Sequence, residues 1–332
     1  MKGNYFGFVD NLNATNCSGW VVNTLDSKKK LEIDFLINDK TVTTVKNNIF
    51  RRDVLQQGHH ATGFCGFNFE IDLSNIDPPY YPKFVVGREE IIFNNLKKSI
   101  LVGNFLSLRK NGFELLKGKG LEVGAFEHPA LVSDDCQVEY IDAITTEQAV
   151  ELFPELKSKE LKNIDHIIDL NIEGLSKFKN NSQDFIIINH VIEHLVNPIK
   201  IISELFRIVK KKGMIVLSIP DKEYTFDKHR PKTLFEELAK RYNDAKTDVD
   251  IYEYLDIAKY VHPEQMKLSR TELEKHLQIY KDRKEHLNIW SSSSFQEFLD
   301  RAFKLLNVKY SVKYKVIGDT NHFEYFTVLE KK

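Results

Sequence analysis

Residues 184–195 read DFIIINHVIEHL. The first half is an apolar, β-branched run of the length expected for a strand buried on both faces, as strands of parallel sheets are. The second half sets His190, Glu193 and His194 within five positions of a chain that holds 11 histidines. Titratable side chains crowded at the exit of a buried strand mark the edge at which α/β proteins bind ligands.

Working outward, NPIKIISELFRIVKKKG (197–213) spaces its apolar residues three and four apart, with Pro198 near its start and Gly213 past its end. That predicts a helix. GMIVLSIP (213–220) follows as a strand, and GLEVG (120–124), VEYID (138–142) and HIIDL (166–170) precede as three more. Strands alternating with longer amphipathic stretches predict a parallel sheet covered by helices. Near the C-terminus, the helix SSFQEFLDRAFKLL precedes two close strands, VKYSVKYKVIG and HFEYFTVLE, which predict an antiparallel edge. The fold class is therefore α/β and Rossmann-like over 118–332, with a charged, helical insert at about 222–288 placed to cover the strands' carboxyl ends.

Before residue 100 the pattern differs. Short runs such as YFGFV, GWVV, LEIDFLI, TVTTV and GFCGFNFEI are split by Asn, Asp and Gly turns. They predict a small all-β, sandwich-like domain over 1–98, joined by a linker over 99–117. DPPYYPKF (77–84) is expected to interrupt regular structure, because proline fixes φ and removes a donor.

The chain of 332 residues balances 47 Lys and Arg against 48 Asp and Glu, for a net charge of −1. Without a basic footprint, nucleic acid is not the expected main partner. Three cysteines without a CxxC pair predict neither a disulfide framework nor a structural zinc site, and a reducing cytoplasm is the expected location. MKGNYFGFVDN lacks the apolar core of a signal peptide, and no apolar run reaches the roughly 18 residues that span a bilayer.

A ligand is expected beyond the carboxyl ends of the strands. Gly124 permits close backbone approach, and a helix starting after it would offer its N-terminus to an anionic group. Asp142, some twenty residues beyond Glu122, suits the two hydroxyls of a ribose. Asp169 is placed to accept from an adenine amino group, with Leu170 beside it and Asn189 at the exit of the fourth strand. Singly, each acid is as well explained as a cap of a turn. Together they point to an adenosine-type ligand.

The order LEVG…YID…IID…DFIIINHVIEHL…GMIVLSIP resembles a class I S-adenosylmethionine-dependent methyltransferase over about residues 118–330. The resemblance implies S-adenosylmethionine as cofactor, with Glu122 and Gly124 matching the first motif, Asp142 the ribose acid and Asp169 the acid beside adenine. The turn departs from the glycine-rich pattern, since Ala125, Phe126 and Glu127 follow Gly124. Pro129 and PDKEYTFDKHRPKT (220–233) are similar to the form found in bacterial surface-glycan biosynthesis, which implies a sugar or glycan-precursor substrate. The GFVD, GWVV and GFNF fragments of the N-terminal block resemble a small β-domain attached to glycan-modifying enzymes.

If the chain turns helical directly after Asn189, His190, Glu193 and His194 share one face of one turn. Three uses compete. The cluster anchors the helix by hydrogen bonds, or His190 or His194 removes a proton from a hydroxyl acceptor. Alternatively it binds a divalent metal with His286 of EHLNIWSSSSF as a further ligand. That arrangement is similar to the small-RNA 2′-O-methyltransferases, with His190 in place of an acid, and the softer donor set favours Mn, Fe or Zn over Mg. On the acceptor side stand Asp221, Tyr224, Asp227 and Arg230. Arg230 suits a phosphate or carboxylate, unless it pairs with Asp227 and ties down the insert. The competing functions are methylation of RNA or a small molecule, and a non-catalytic glycan-binding scaffold.

Overall fold

A computed structural model describes residues 4–12, 16–73, 76, 80–93, 95, 105–126, 129–152 and 161–332, with backbone alone for 105–107. The chain divides into two compact units, 1–104 and 105–332.

The first unit contains strands β1 (Tyr5–Leu12), β2 (Asn16–Asn23), β3 (Glu32–Ile37), β4 (Lys40–Lys46), β5 (Ile49–Phe50), β6 (Phe64–Glu70), β7 (Pro82–Val86) and β8 (Glu89–Glu90), and a short helix, α1 (Arg52–Gln56). The strands form two antiparallel sheets, β1-β2-β6-β5 and β4-β3-β7-β8. Alternation decides the core: Ile33, Phe35 and Ile37 of one sheet meet Val9, Val21 and Phe67 of the other. Buried Asn47 joins them, accepting from Leu31 N at 2.6 Å and donating to Val21 O at 3.1 Å. The proline-rich segment interrupts less than expected. Pro82 opens β7, a position where a missing donor is tolerated, and residues 77–79 lie outside the described set.

The second unit opens with α2 (Phe105–Phe113), where a linker was expected. Gly112 lets this helix lie directly on Phe326, and residues 99–104 lie outside the described set. The sheet comprises β9 (Gly118–Val123), β10 (Cys136–Asp142), β11 (His166–Ile167), β12 (Gln183–Asn189), β13 (Val209–Pro220), β14 (Tyr310–Val316) and β15 (Glu324–Lys331). Its order is β11-β10-β9-β12-β13-β15-β14, parallel except for β15, which runs antiparallel to β13 and β14. Chain order reverses between β9 and β12, which creates the topological switch point. β12 is buried on both faces: Ile186 and Ile188 meet the core that includes Ile202 and Phe298, while Phe185 and Ile187 meet Phe113 and Phe326.

The helices are α3 (Thr146–Leu152), α4 (Pro198–Ile208), α5 (Phe235–Asn243), α6 (Leu255–Tyr260), α7 (Arg270–Asp282), α8 (Ser292–Leu305) and α9 (Gly318–Asn321). Two expectations need correction. α4, capped by Asn197 through Lys200 N at 3.0 Å, stops at Ile208 because Val209 is extended and pairs with Gln183. Gly213 is therefore inside a bulged strand, where a Cβ would lie 2.6 Å from Asp184 O. Between β9 and β10 no helix forms among the described residues. Pro129 opposes one, and Ala130 N donates to both Glu122 oxygens, at 2.9 and 3.1 Å. The insert is built from α5, α6, α7 and 3-10 turns. All three cysteines are free, and no helix among the described residues is long and apolar enough to cross a membrane.

Candidate active site

A cavity of about 280 Å3 opens at the carboxyl ends of β9, β10 and β12, lined in part by Gly124, Asp142, Asp169, Leu170, His190 and His194. Gly124 has φ 73°, and a Cβ on it would lie 2.6 Å from Val191 Cγ2, so both conformation and space demand glycine. Phe126, which also lines the cavity, has φ 29°, a left-handed turn made without a glycine.

Asp142 Oδ1 accepts from Ala143 N at 2.7 Å, and burial pushes its pKa up to about 6 against those backbone donors. Asp169 Oδ1 accepts from Asn171 N at 2.9 Å, and its Oδ2 pairs with Lys284 Nζ at 2.7 Å. Glu122 and Asn189 are not in the lining. Buried Glu122 accepts from Ala130 N, and desolvation raises its pKa to about 7. Asn189 accepts the Ser218 hydroxyl at 3.0 Å behind the wall. Asn171 and Lys284 line the crevice unforeseen. Asn171 had a legible position, two residues past Asp169. Lys284 carried no local signal.

The chain does not turn α-helical at His190. That residue has φ 53°, Val191 has φ −129°, and only Ile192–His194 form a single 3-10 turn. Glu193 is driven inward, to 1% exposure. It meets His194 and, from the far end of the insert, His286; their potential ligand atoms all lie within 4.8 Å of one another. His194 Nδ1 donates to the Lys284 carbonyl at 2.6 Å, and a carbonyl only accepts, so its Nε2 is left as the acceptor. His286 Nδ1 donates to Asp227 Oδ2 at 2.6 Å, which likewise turns Nε2 inward. Neither Glu193 oxygen has a hydrogen-bond partner among the described residues.

The electrostatics follow from burial. Desolvation, with the neighbouring His286, pushes His194 down to about 3 and keeps it neutral. Desolvation raises Glu193 despite His190 and His286. At His286 burial opposes the charge, but Asp227 and Glu193 outweigh it and raise the pKa. His190 goes elsewhere: its Nε2 is 2.7 Å from Glu324 Oε2, while its Nδ1 lies 3.8 Å from Glu193 Oε1. Of the four expected metal ligands, three converge and His190 joins Glu324.

The residues expected on the acceptor side have protein partners. Asp221 accepts from Glu223 N at 3.0 Å and Ser292 N at 2.8 Å. Tyr224 donates to Asp319 at 2.7 Å. Arg230, 1% exposed, is a buried strut rather than an anion-binding cation. It donates to Asp227 at 2.7 Å, to both Asp256 oxygens at 2.9 Å and to His286 O at 2.8 Å. Asp227 thus links Arg230 to His286.

The reversed strand order with an acid-lined crevice at the switch point defines a Rossmann-like methyltransferase fold. The family model described as Methyltransferase domain matches residues 116–302, more than half of the chain. The chain belongs to that family and is an S-adenosylmethionine-dependent methyltransferase. Similar solved structures include a SAM-dependent methyltransferase from Aquifex aeolicus, at 16% identity and TM-score 0.34, covering 68% of this chain and 89% of that one. YcgJ from Bacillus subtilis has 15% identity and TM-score 0.36, covering 68% and 97%. The CurJ carbon methyltransferase has 13% identity and TM-score 0.33; 65% of this chain is covered and 48% of that one, so this chain spans about half its length. No curated protein matches the chain.

Proposed function

We propose that this methyltransferase acts on a hydroxyl oxygen of a sugar or glycan precursor, with a divalent metal at Glu193, His194 and His286. One observation carries the reading: the Glu193 carboxylate is buried without a donor between two imidazoles whose Nδ1 atoms are already engaged. A buried carboxylate without a hydrogen-bond donor is costly, and a cation at this point relieves it. Two imidazoles and one carboxylate suit Mn, Fe or Zn. Ligating histidines need an acceptor for the other ring N–H, and Asp227 and the Lys284 carbonyl supply it. Bound there, such an ion would supply Lewis acidity that lowers the pKa of an acceptor hydroxyl, and S-adenosylmethionine would supply an electrophilic methyl on a sulfonium.

The chain's own groups divide the remaining work. Asp142 accepts from the ribose hydroxyls, Asp169 accepts from the adenine amino group, and Gly124 admits the ligand to the backbone. His190, on the crevice wall, takes the acceptor proton, a role typically worth 10²–10⁴-fold. The surface-glycan likeness of residues 220–233 and of the N-terminal block supports a sugar acceptor. The ligand set itself favours a second reading, a ribose 2′-hydroxyl of RNA, but a net charge of −1 weighs against it.

The test is methyl release from S-adenosylmethionine over nucleotide sugars, methyl glycosides and short RNAs, before and after dialysis against a chelator. Turnover on a sugar, abolished by the chelator and restored by Mn²⁺, is expected. Full activity in chelator removes the metal, and turnover on RNA alone removes the sugar.

A further inference from the structure

We infer that Glu324, braced by Arg109, is a positioning residue that holds His190 by its Nε2–H and turns His190 Nδ1 toward the acceptor hydroxyl. The inference rests on the hydroxyl-acceptor reading above for its chemistry, and on geometry of its own for the ring.

Glu324 opens β15 opposite Pro220, at the carboxyl edge of the parallel strands, and its side chain is fully buried. A carboxylate there requires donors, and two elements far apart in sequence supply them. From α2, Arg109 Nε donates to Oε1 at 2.7 Å and its Nη2 donates to Oε2. From the exit of β12, His190 Nε2 reaches Oε2 at 2.7 Å. Arginine is always protonated. With its fork across both oxygens, Glu324 stays ionised and can only accept, so the proton of the neutral His190 ring sits on Nε2. Burial opposes the charge on Glu324, but His190 and Arg109 outweigh it and hold its pKa below the ordinary carboxylate range.

The placement of His190 is over-determined. Its backbone is left-handed, φ 53°, a conformation that a residue with a side chain keeps only under restraint. Its N–H donates to Ser218 O at 3.0 Å, and its ring stacks on Phe323 at 5.0 Å and 22°. Arg109 Nη2 also reaches Ser218 Oγ at 3.3 Å, so the same strand end braces both partners. His190 lines the crevice while Glu324 and Arg109 do not. The ring nitrogen left over, Nδ1, lies 3.8 Å from Glu193 Oε1, beside the cluster proposed to hold the metal ion.

Two measurements decide it. Long-range ¹H–¹⁵N spectra of histidine-labelled protein, with His190→Gln to assign the signal, should show the neutral ring protonated at Nε2. In Glu324→Gln the amide turns an N–H toward the ring and the proton should move to Nδ1. With a methylated sugar from the panel, Glu324→Gln should lower kcat by about 10²–10⁴-fold, as a carboxylate-to-amide change that reverses a histidine tautomer does. The KM for S-adenosylmethionine should stay within about twofold, because Glu324 does not line the crevice. A wild-type ring protonated at Nδ1, or an unchanged kcat in the variant, overturns the inference. Should Glu324→Gln fail to fold, the wild-type spectrum alone decides between the two tautomers. If no panel compound is methylated, the hydroxyl reading fails, and the spectra still decide the role of Glu324.

Discussion

Asp227 accepts the Nδ1 proton of His286 at 2.6 Å, and this contact selects the imidazole nitrogen that faces Glu193. Asp227→Asn keeps the volume but removes the charge that orients the ring. Divalent-ion affinity should fall about 10–100-fold, the usual cost of losing an outer partner of a ligating histidine. Titration calorimetry with Zn²⁺ or Mn²⁺ checks it, with thermal unfolding run alongside because Arg230 loses one of its two carboxylates. An unchanged affinity would show that Asp227 serves Arg230 alone.

The same pocket sets a pH dependence. Burial opposes the charge on His286, but Asp227 and Glu193 prevail and hold its pKa above 6.5, and burial raises Glu193 as well. Both groups must shed their protons to ligate a metal. Ion affinity should therefore rise as pH climbs through and beyond the imidazole range, with protons released on binding. The folded-state pKa of His286 is raised, so its contribution to stability is complete below 6.5 and is lost as pH rises through the folded value. Added ion should stabilise the protein more as pH increases. Calorimetry in buffers of different ionisation enthalpy counts the protons; affinity flat across that range would exclude His286 as a ligand.

Much of this was legible and part was not, for physical reasons. β12 could be read because Ile186, Ile187 and Ile188 are buried on both faces, which yields an uninterrupted apolar run. Asp142 and Asp169 could be read because strand ends locate the crevice. The inward turn of Glu193 could not, since it follows from the left-handed His190, which no periodicity signals. Arg109 and Glu324 meet across a separation of 215 residues, so neither carries a local sign of the other. Among the described residues no helix follows Gly124, because Glu122 accepts from Ala130 N and Pro129 opposes one. His286 entered through the family likeness alone; its neighbours EHLNIW show no strand or helix period.

Gly124→Ala tests the close approach at the switch point. The left-handed backbone disfavours a Cβ by roughly 1–2 kcal/mol, and that Cβ would sit 2.6 Å from Val191 Cγ2, next to His190. Val191 or Gly124 itself must shift, and both line the crevice. S-adenosylhomocysteine affinity should fall at least about tenfold, the equivalent of roughly 1.4 kcal/mol. Equilibrium binding to the purified variant measures it, and a wild-type affinity would place the cofactor away from this turn.

Lys284 offers a change in the opposite direction. Its ammonium holds Asp169 Oδ2 at 2.7 Å inside the crevice, while its carbonyl accepts the His194 Nδ1 proton. If Asp169 receives the adenine amino group, the ammonium competes for the same oxygen and must swing away. The lysine side chain is 41% exposed, so the pair contributes about 0.2–1 kcal/mol. Lys284→Ala should therefore tighten S-adenosylhomocysteine binding by up to about fivefold, and the gain should shrink as salt screens the pair in the wild type. Metal affinity should not move, because the carbonyl that orients His194 remains. Weaker cofactor binding in the variant would mean that the ammonium contacts the ligand itself and that Asp169 serves to hold the lysine.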